Sequence, residues 1–166
     1  MARYSTSWTS LTMTATGDTT TFANSVFCAI GSSNASSMIK VSEVYIGGEA
    51  ASASTPATIV VARDSTNGAT PSATGVRTAL TDALGSAPAN LPTGFTQATT
   101  NPQRSASAHL LHLSFNAYGG IVRWVASPDQ SITMATATAP NSEISISAIT
   151  AATAPVTSGH FLYEVV

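Results

Sequence analysis

Short apolar runs rich in β-branched residues recur along the chain, separated by glycine, proline, asparagine and serine. Runs of this length and composition are typical of β-strands bounded by turns, and helical spacing of apolar residues is nearly absent. We therefore predict eight or nine strands. They are expected over residues 7–14, 21–30, 38–46, 57–63, 109–115, 121–126, 131–135, 143–150 and 161–166.

Alternation within each run predicts which side chains face a core. The inward set is Ile144, Ile146 and Ala148 in one strand, and Leu111, Leu113 and Phe115 in another. In residues 38–46, alternation places Tyr45 on the same face as Ile39 and Val41, with Val44 and Ile46 opposite. The segment Asn116-Ala-Tyr-Gly-Gly120 is short enough to join its flanking strands as an antiparallel hairpin.

Many short strands with tight turns predict an all-β fold, a two-sheet antiparallel β-sandwich of jelly-roll type. Residues 65–107 interrupt this succession of short strands and turns. They contain four prolines and no strong strand pattern, which predicts a long loop insertion. Val76, Leu80 and Leu84 recur every four residues, which indicates a short helix over Gly75–Leu84. The predicted organisation is an N-terminal arm and first strand over residues 1–20 and one sandwich domain over residues 21–166.

Charged residues make up only 8% of the chain, against about 25% in ordinary globular proteins. The formal net charge is −2, and a net charge near zero favours association between protein surfaces. The small polar side chains that replace the charges lose little rotamer entropy when an interface forms. The composition therefore favours a protein that works by packing against other protein chains.

The six lysine and arginine residues are dispersed along the chain. Because nucleic-acid binding requires a clustered basic surface, we predict no nucleic-acid partner. No run approaches the roughly 18 apolar residues of a membrane-spanning helix, and the first residues lack the apolar core of a signal peptide, so we expect no membrane association. A single cysteine, Cys28, leaves no partner for an intrachain disulfide and is expected to be a buried thiol.

Candidate chemistry is sparse. His109 and His112 are three residues apart, so strand alternation places them on opposite faces, where they are poorly placed to bind one zinc ion. The acidic residues are dispersed, and no nucleophile-elbow, phosphate-loop or dinucleotide-binding motif occurs. We therefore predict no metal, no cofactor and no enzymatic activity. A hydrolase on a β scaffold stays a minor alternative, based on the abundant serines and three histidines.

Five residues are predicted to contact other chains. Tyr4 and Trp8 lie in a Ser/Thr-rich segment that could act as an arm adding to a neighbour's sheet. Arg77 and Arg104 lie in the interrupted region, where function is expected to reside as contact surface. Arg123 lies in mid-strand, either as a solvent-facing arginine or paired with an acid across a subunit contact.

Two stretches of the second half resemble known virion proteins. They are Phe115-Asn-Ala-Tyr-Gly-Gly-Ile-Val-Arg-Trp-Val-Ala-Ser-Pro-Asp129 and Ser158-Gly-His-Phe-Leu-Tyr-Glu164. Both are similar to the C-terminal strands of tailed-bacteriophage head decoration proteins with a jelly-roll fold. The resemblance implies a virion protein that binds the major capsid protein as a homotrimer and stabilises the head. It implies no catalytic residues and no cofactor.

The aromatic residues indicate a second possible function. Tyr4, Trp8, Tyr118 and Tyr163 could form a platform on which sugar rings stack. Such a platform would indicate a receptor- or glycan-binding module of a tail fibre or similar appendage, and it predicts a groove lined by exposed aromatic rings.

Overall fold

A computed structural model describes residues 3–12, 29–31, 38–49, 56–66, 77–79, 93–95, 103–134, 143–150 and 155–166. Eleven strands and no helix occur within these ranges, which confirms the all-β prediction. The strands are β1 (Arg3–Thr12), β2 (Ala29–Gly31), β3 (Ile39–Gly48), β4 (Pro56–Thr66), β5 (Arg77–Ala79), β6 (Thr93–Phe95), β7 (Gln103–Asn116), β8 (Ile121–Val125), β9 (Ile132–Met134), β10 (Glu143–Thr150) and β11 (Val156–Val165). None of these residues forms a helix long and apolar enough to cross a membrane.

The strands form two antiparallel sheets. Sheet A has the order β5-β1-β11-β3-β8, with β9 also paired to β3, and sheet B has the order β6-β2-β10-β4-β7. Apart from the short β5, β6 and β9, the pairing is nested: β1 with β11, β2 with β10, β3 with β8 and β4 with β7. This is a long antiparallel hairpin rolled into two sheets, which is the topology of an eight-stranded jelly roll. The predicted jelly-roll-like sandwich is confirmed.

The inward faces of the two sheets enclose one apolar core. Strand alternation supplies it, as predicted for Ile144, Ile146 and Ala148 of β10, and Leu111, Leu113 and Phe115 of β7 pack against it. Each large apolar side chain removed from water contributes about 1.5–3 kcal/mol to folding. Trp8 packs over Gly159 of β11, where a Cβ would collide with the indole ring. This contact is why β11 carries glycine at that position.

A β-bulge in β3 changes which side chains face outward. Leu162 pairs with Glu43 and Tyr163 pairs with Val41, so Ser42 between them has no partner on β11. An extra residue in one strand reverses the alternation beyond it. Val41 and Val44 therefore both face the core, and Tyr45 faces away from it. The prediction that Tyr45 shares a face with Val41 is wrong for this reason.

The connection between β7 and β8 is an arch between the sheets and not the predicted hairpin. β7 pairs with β4 in sheet B, whereas β8 pairs with β3 in sheet A. The Gly120 N–H donates to the Asn116 carbonyl at 2.9 Å, and the Gly48 N–H donates to the Gly120 carbonyl at 2.8 Å. A Cβ on Gly48 would collide with the Ala117 backbone. The arch is favoured because both strands turn apolar side chains toward the same core.

The predicted N-terminal arm is part of the chain's own sheet. β1 lies between β5 and β11, and residues 3–12 pair with residues 156–164 of β11. Tyr4 stacks on Tyr163, with ring centroids 5.8 Å apart, and the Trp8 indole N–H donates to the Thr157 hydroxyl at 3.2 Å. These inward side chains make β1 a core strand, so its expected role as an arm on a neighbour is wrong for this segment.

The interrupted region contains strands. β5 pairs with β1 and β6 pairs with β2, and β7 begins at Gln103, four residues before the predicted end of the loop insertion. Arg77–Ala79 is a strand, so the predicted helix over Gly75–Leu84 is wrong there. Strands of three residues are too short to show alternation in sequence. The other residues of this helix, and most of the predicted strand 21–30, lie outside the described residues.

Candidate functional site

Four side chains from three strands meet on the outer face of sheet A, the face turned away from sheet B. Tyr45 of β3 lies opposite Arg123 of β8 on one side and His160 of β11 on the other. Glu43 lies two residues before Tyr45 on the same face, because the bulge at Ser42 precedes both. We term Glu43, Tyr45, Arg123 and His160 the outer-face cluster.

Glu43 and Arg123 form a bidentate ion pair. Arg123 donates from Nε to Glu43 Oε1 at 2.9 Å and from Nη2 to Oε2 at 2.7 Å. Two parallel charge-assisted hydrogen bonds fix both direction and distance. The hydrogen bond from Arg123 holds the pKa of Glu43 below its ordinary value of 4.5, and the same bond raises the pKa of Arg123. The pair is therefore ionised at neutral pH.

His160 completes the cluster from β11. Its Nε2 lies 3.4 Å from Glu43 Oε1, and its ring stacks on Tyr45 with centroids 5.2 Å apart and planes 8° from parallel. Cross-strand neighbours on one sheet face are close enough for rings to stack in this way. The stack and the shared carboxylate hold four side chains in one arrangement.

Exposed apolar side chains flank Arg123. Alternation in β8 turns Val122 and Trp124 toward the core and leaves Ile121 and Val125 outward. Ile121 is 66% exposed and Val125 is 53% exposed, while the Arg123 side chain is 60% exposed. We term Ile121, Arg123 and Val125 the β8 patch. It presents a fixed cation between two apolar side chains, which is a surface suited to contact with another protein.

A second arrangement lies where β1, β3 and β11 run together. Glu49 accepts hydrogen bonds from the hydroxyls of Ser10, at 2.5 Å, and of Ser158. The Ser10 backbone N–H donates to Ser158 Oγ at 2.9 Å, which closes a ring of three residues. These hydrogen bonds, chiefly that of Ser10, lower the pKa of Glu49, so its carboxylate is ionised at neutral pH. We term these three residues the Glu49 clamp.

The Glu49 clamp borders a shallow cavity of about 320 Å³. Tyr45 and His160 line it, together with Gly47, Gly48, Gly159 and Trp8. We term it the Glu49 cavity. Glycines bring backbone to its surface, and the carboxylate, the rings and the backbone together offer hydrogen-bond acceptors beside an aromatic face.

The outer face of sheet B carries a buried polar group. Asp64 of β4 lies opposite Arg104 of β7, and Ser145 of β10 donates from its hydroxyl to Asp64 Oδ1 at 2.5 Å. Glu143 of β10 also bonds Asp64, and all four residues are buried. Burial, reinforced by Glu143, raises the pKa of Asp64 to about 9. We term Asp64, Arg104, Glu143 and Ser145 the buried polar cluster.

The five predicted contact residues lie in different environments in the structure. Tyr4 and Trp8 are core side chains, and Arg104 belongs to the buried polar cluster, so these three do not present the predicted contact surface. Arg77 lies on β5, but its side chain is outside the described residues. Arg123 is exposed and pairs with an acid of its own chain.

The two β7 histidines lie closer together than predicted. Leu111 pairs with Val61 and His109 with Ala62, so Leu110 is an extra residue in β7. This bulge turns His109 to the side of His112, and their rings are 5.4 Å apart. The prediction that they face opposite sides is wrong. Within the described part of the chain, no group of three or more potential ligands could hold a metal ion.

Sequence reasoning missed the Glu49 clamp entirely. Ser10 and Ser158 are 39 and 109 residues from Glu49 in sequence, and serine is too common to mark either position. Glu43 in mid-strand is predicted from sequence to be a solvent-face residue. Its partner Arg123 is a diagonal neighbour on β8, since Glu43 itself lies opposite Val125 and Arg123 lies opposite Tyr45. Comparison of the chain with protein-family models, with curated proteins and with solved structures found no match.

Proposed function

We propose that this chain is a non-enzymatic structural protein that works by packing the outer face of sheet A against another protein chain. The observation that carries the proposal is the β8 patch, in which exposed Ile121 and Val125 flank an arginine held by Glu43. Large exposed apolar residues grouped on one face of a sheet are a feature of interaction surfaces.

The energetics of the β8 patch support a contact role. Arginine is enriched among the residues that dominate binding energy at protein interfaces. Because Glu43 already fixes the Arg123 guanidinium, its side chain loses little further freedom when a partner binds. Covering Ile121 and Val125 would remove apolar area from water, at about 25 cal/mol per Å².

The specific form that we propose is a phage head decoration protein, present in the virion as a homotrimer on the major capsid protein. The jelly-roll topology supports this form, since capsid domains commonly use it. So do the low charge content of 8% and the resemblance of residues 115–129, a stretch that contains the whole β8 patch. In the trimer the β8 patch contacts a neighbouring copy of the chain.

The first test measures oligomeric state by light scattering during size-exclusion chromatography at micromolar concentration. We expect a trimer for the native chain and a monomer for the double variant Ile121→Ser with Val125→Ser. Leu110→Ser, the same kind of change at an exposed position of β7, is the matched control and is expected to stay trimeric. A native chain that is monomeric at every concentration would contradict the proposed trimer.

The second test concerns the virion. Quantitative mass spectrometry of purified phage particles, from a lysate that contains this protein, should find it at a fixed ratio to the major capsid protein. Presence in the lysate together with absence from washed particles would contradict the decoration role. It would leave open whether the β8 patch binds another protein.

A further inference from the structure

The Glu49 clamp is an exposed structure with a conformational cost. Ser10 has φ 49°, in the left-handed region that a residue with a Cβ adopts unfavourably. It lies within the irregularity of β1 between Trp8 and Leu11, where pairing with β11 shifts. That conformation lets Ser10 donate both its hydroxyl to Glu49 and its backbone N–H to Ser158.

The hydrogen bonds of the Glu49 clamp contribute little to the stability of the fold. The carboxylate of Glu49 is exposed, and exposed hydrogen bonds and charges contribute little net stability because water competes for them. A strained residue that orients an exposed carboxylate is the pattern found where a protein holds a group ready for a ligand. The Tyr45–His160 stack lies beside the same cavity, so two features converge on one place.

We propose that the Glu49 cavity binds a neutral saccharide, with Glu49 accepting hydrogen bonds from sugar hydroxyls and the Tyr45–His160 stack offering an aromatic contact for the apolar face of the sugar ring. Each carboxylate oxygen has two acceptor positions, and the Glu49 clamp uses one on each oxygen. The two acceptor positions that are left suit a pair of neighbouring hydroxyl donors. Neighbouring hydroxyl groups are a feature of sugars.

The composition of the cavity favours a neutral saccharide over other classes of ligand. The described lining residues include no lysine or arginine, and the fixed charge is negative, so a phosphate or carboxylate ligand is repelled. Glycine at position 47, where a Cβ would point toward Tyr45 and Ser158, lets a ring approach the backbone closely. A volume of about 320 Å³ lies at the small end of ligand pockets, roughly 300–1,000 Å³, and suits one or two sugar rings.

This inference does not rest on the proposed packing function, although the cavity and the β8 patch are neighbours on one sheet face. Tyr45 and His160 belong to both the outer-face cluster and the cavity, whereas Ile121 and Val125 do not line the cavity. The double serine variant in the β8 patch therefore tests packing, and substitution of Glu49 tests saccharide binding, so that either idea can fail alone.

The experiment is a titration of the ¹⁵N-labelled chain, followed by amide chemical shifts in two-dimensional NMR spectra. The probes are maltose, cellobiose, lactose and N,N′-diacetylchitobiose, each to millimolar concentration. We expect at least one sugar to shift the amides of Gly47, Gly48 and Ser158. Glu49→Gln should weaken that binding at least about tenfold, since the amide keeps only one of the two acceptor oxygens.

Matched variants exclude general effects of substitution. Tyr45→Ala should weaken binding, whereas Tyr118→Ala, which truncates an exposed tyrosine that does not line the cavity, should not. Asp129→Asn is the control for Glu49→Gln, and an unchanged urea midpoint in Glu49→Gln shows that the fold is kept. Three results would overturn the inference: no shift with any of the four sugars, shifts confined to other residues, or tetramethylammonium chloride shifting the cavity amides when no sugar does.

Discussion

The outer faces of the two sheets each pair carboxylates with an arginine, but they do so in opposite environments. On sheet A, Glu43 and Arg123 form an ion pair whose arginine side chain is 60% exposed. On sheet B, Asp64 lies opposite an Arg104 that is almost completely buried, and Glu143 is a further acidic neighbour of Asp64. The same residue types therefore make a surface feature on one face and part of the interior on the other.

The difference shows that environment decides the charge state of these carboxyls. The hydrogen bond from Arg123 dominates at Glu43 and lowers its pKa. Burial dominates at Asp64 and raises its pKa to about 9, although Ser145 and Arg104 act in the opposite direction. Glu43 is therefore an anion at neutral pH, whereas Asp64 is a neutral acid that hydrogen-bonds Glu143.

The largest expected effect is that of removing the buried arginine. Arg104→Met should lower the free energy of unfolding by about 3–5 kcal/mol, because it leaves the buried acids without a cation. Arg123→Met is the matched change on sheet A, and it should lower stability far less, because water solvates Glu43 once the arginine is gone. Urea unfolding of both variants measures the comparison. Equal losses would show that the two faces are equally buried.

The next effect is a pH dependence that comes from Asp64. Its pKa is about 9 in the folded chain, against an ordinary value of 3.8. Between these values the folded state holds one proton more than the unfolded state, so stability falls as pH rises, by at most about 1.4 kcal/mol per pH unit. This contribution is fully present below pH 3.8 and is lost as pH approaches and passes about 9.

Asp64→Asn separates this effect from other titrations. The amide is neutral at every pH and can donate to Glu143 as the protonated acid does, so the variant should lack that fall in stability. Urea unfolding across the neutral to alkaline range compares it with the native chain, with Asp129→Asn as an exposed control. A native slope that persists in Asp64→Asn would mean that Asp64 is ionised in the folded state.

The two faces also differ in how well alternation in the sequence predicts their side chains. Alternation identified the inward side chains of β10 and β7, because the apolar core imposes a period of two on any strand that faces it. The same alternation predicts that Ser145 and Ser147, which lie between the inward residues of β10, point outward. They do lie on the face opposite the core, but both are buried there. Alternation reports the face of a sheet and carries no information about what covers that face.

Irregularities account for most of the errors. The extra residues Ser42 and Leu110 reverse alternation, and each reversal moved a predicted side chain, Tyr45 or His109, to the other face. The Glu43–Arg123 pair and the Glu49 clamp follow from pairing between strands distant in sequence. A single sequence predicts that the strands exist, but their pairing depends on how the whole chain rolls up.

The smallest effect, and the one that bears most on function, is that of Glu43→Gln. The pKa of Glu43 is lowered in the folded chain, so its ionised form adds stability above the ordinary value of 4.5, and that stability is lost as pH falls. Glu43→Gln should therefore lower the urea midpoint slightly at neutral pH. The difference should shrink in acid, and it should also shrink in high salt, which screens exposed charges. This slope has the opposite sign to that of Asp64.

The same variant distinguishes a free sheet face from a covered one. If the β8 patch is covered by a neighbouring copy, Arg123, the exposed member of the pair, is shielded from water in the assembly, and salt can no longer screen the pair well. The loss caused by Glu43→Gln should then be small and salt-sensitive at protein concentrations where the chain is monomeric. It should become larger and salt-insensitive where the trimer forms. A loss that is equally small and salt-sensitive at both concentrations would place the contact between copies away from the β8 patch.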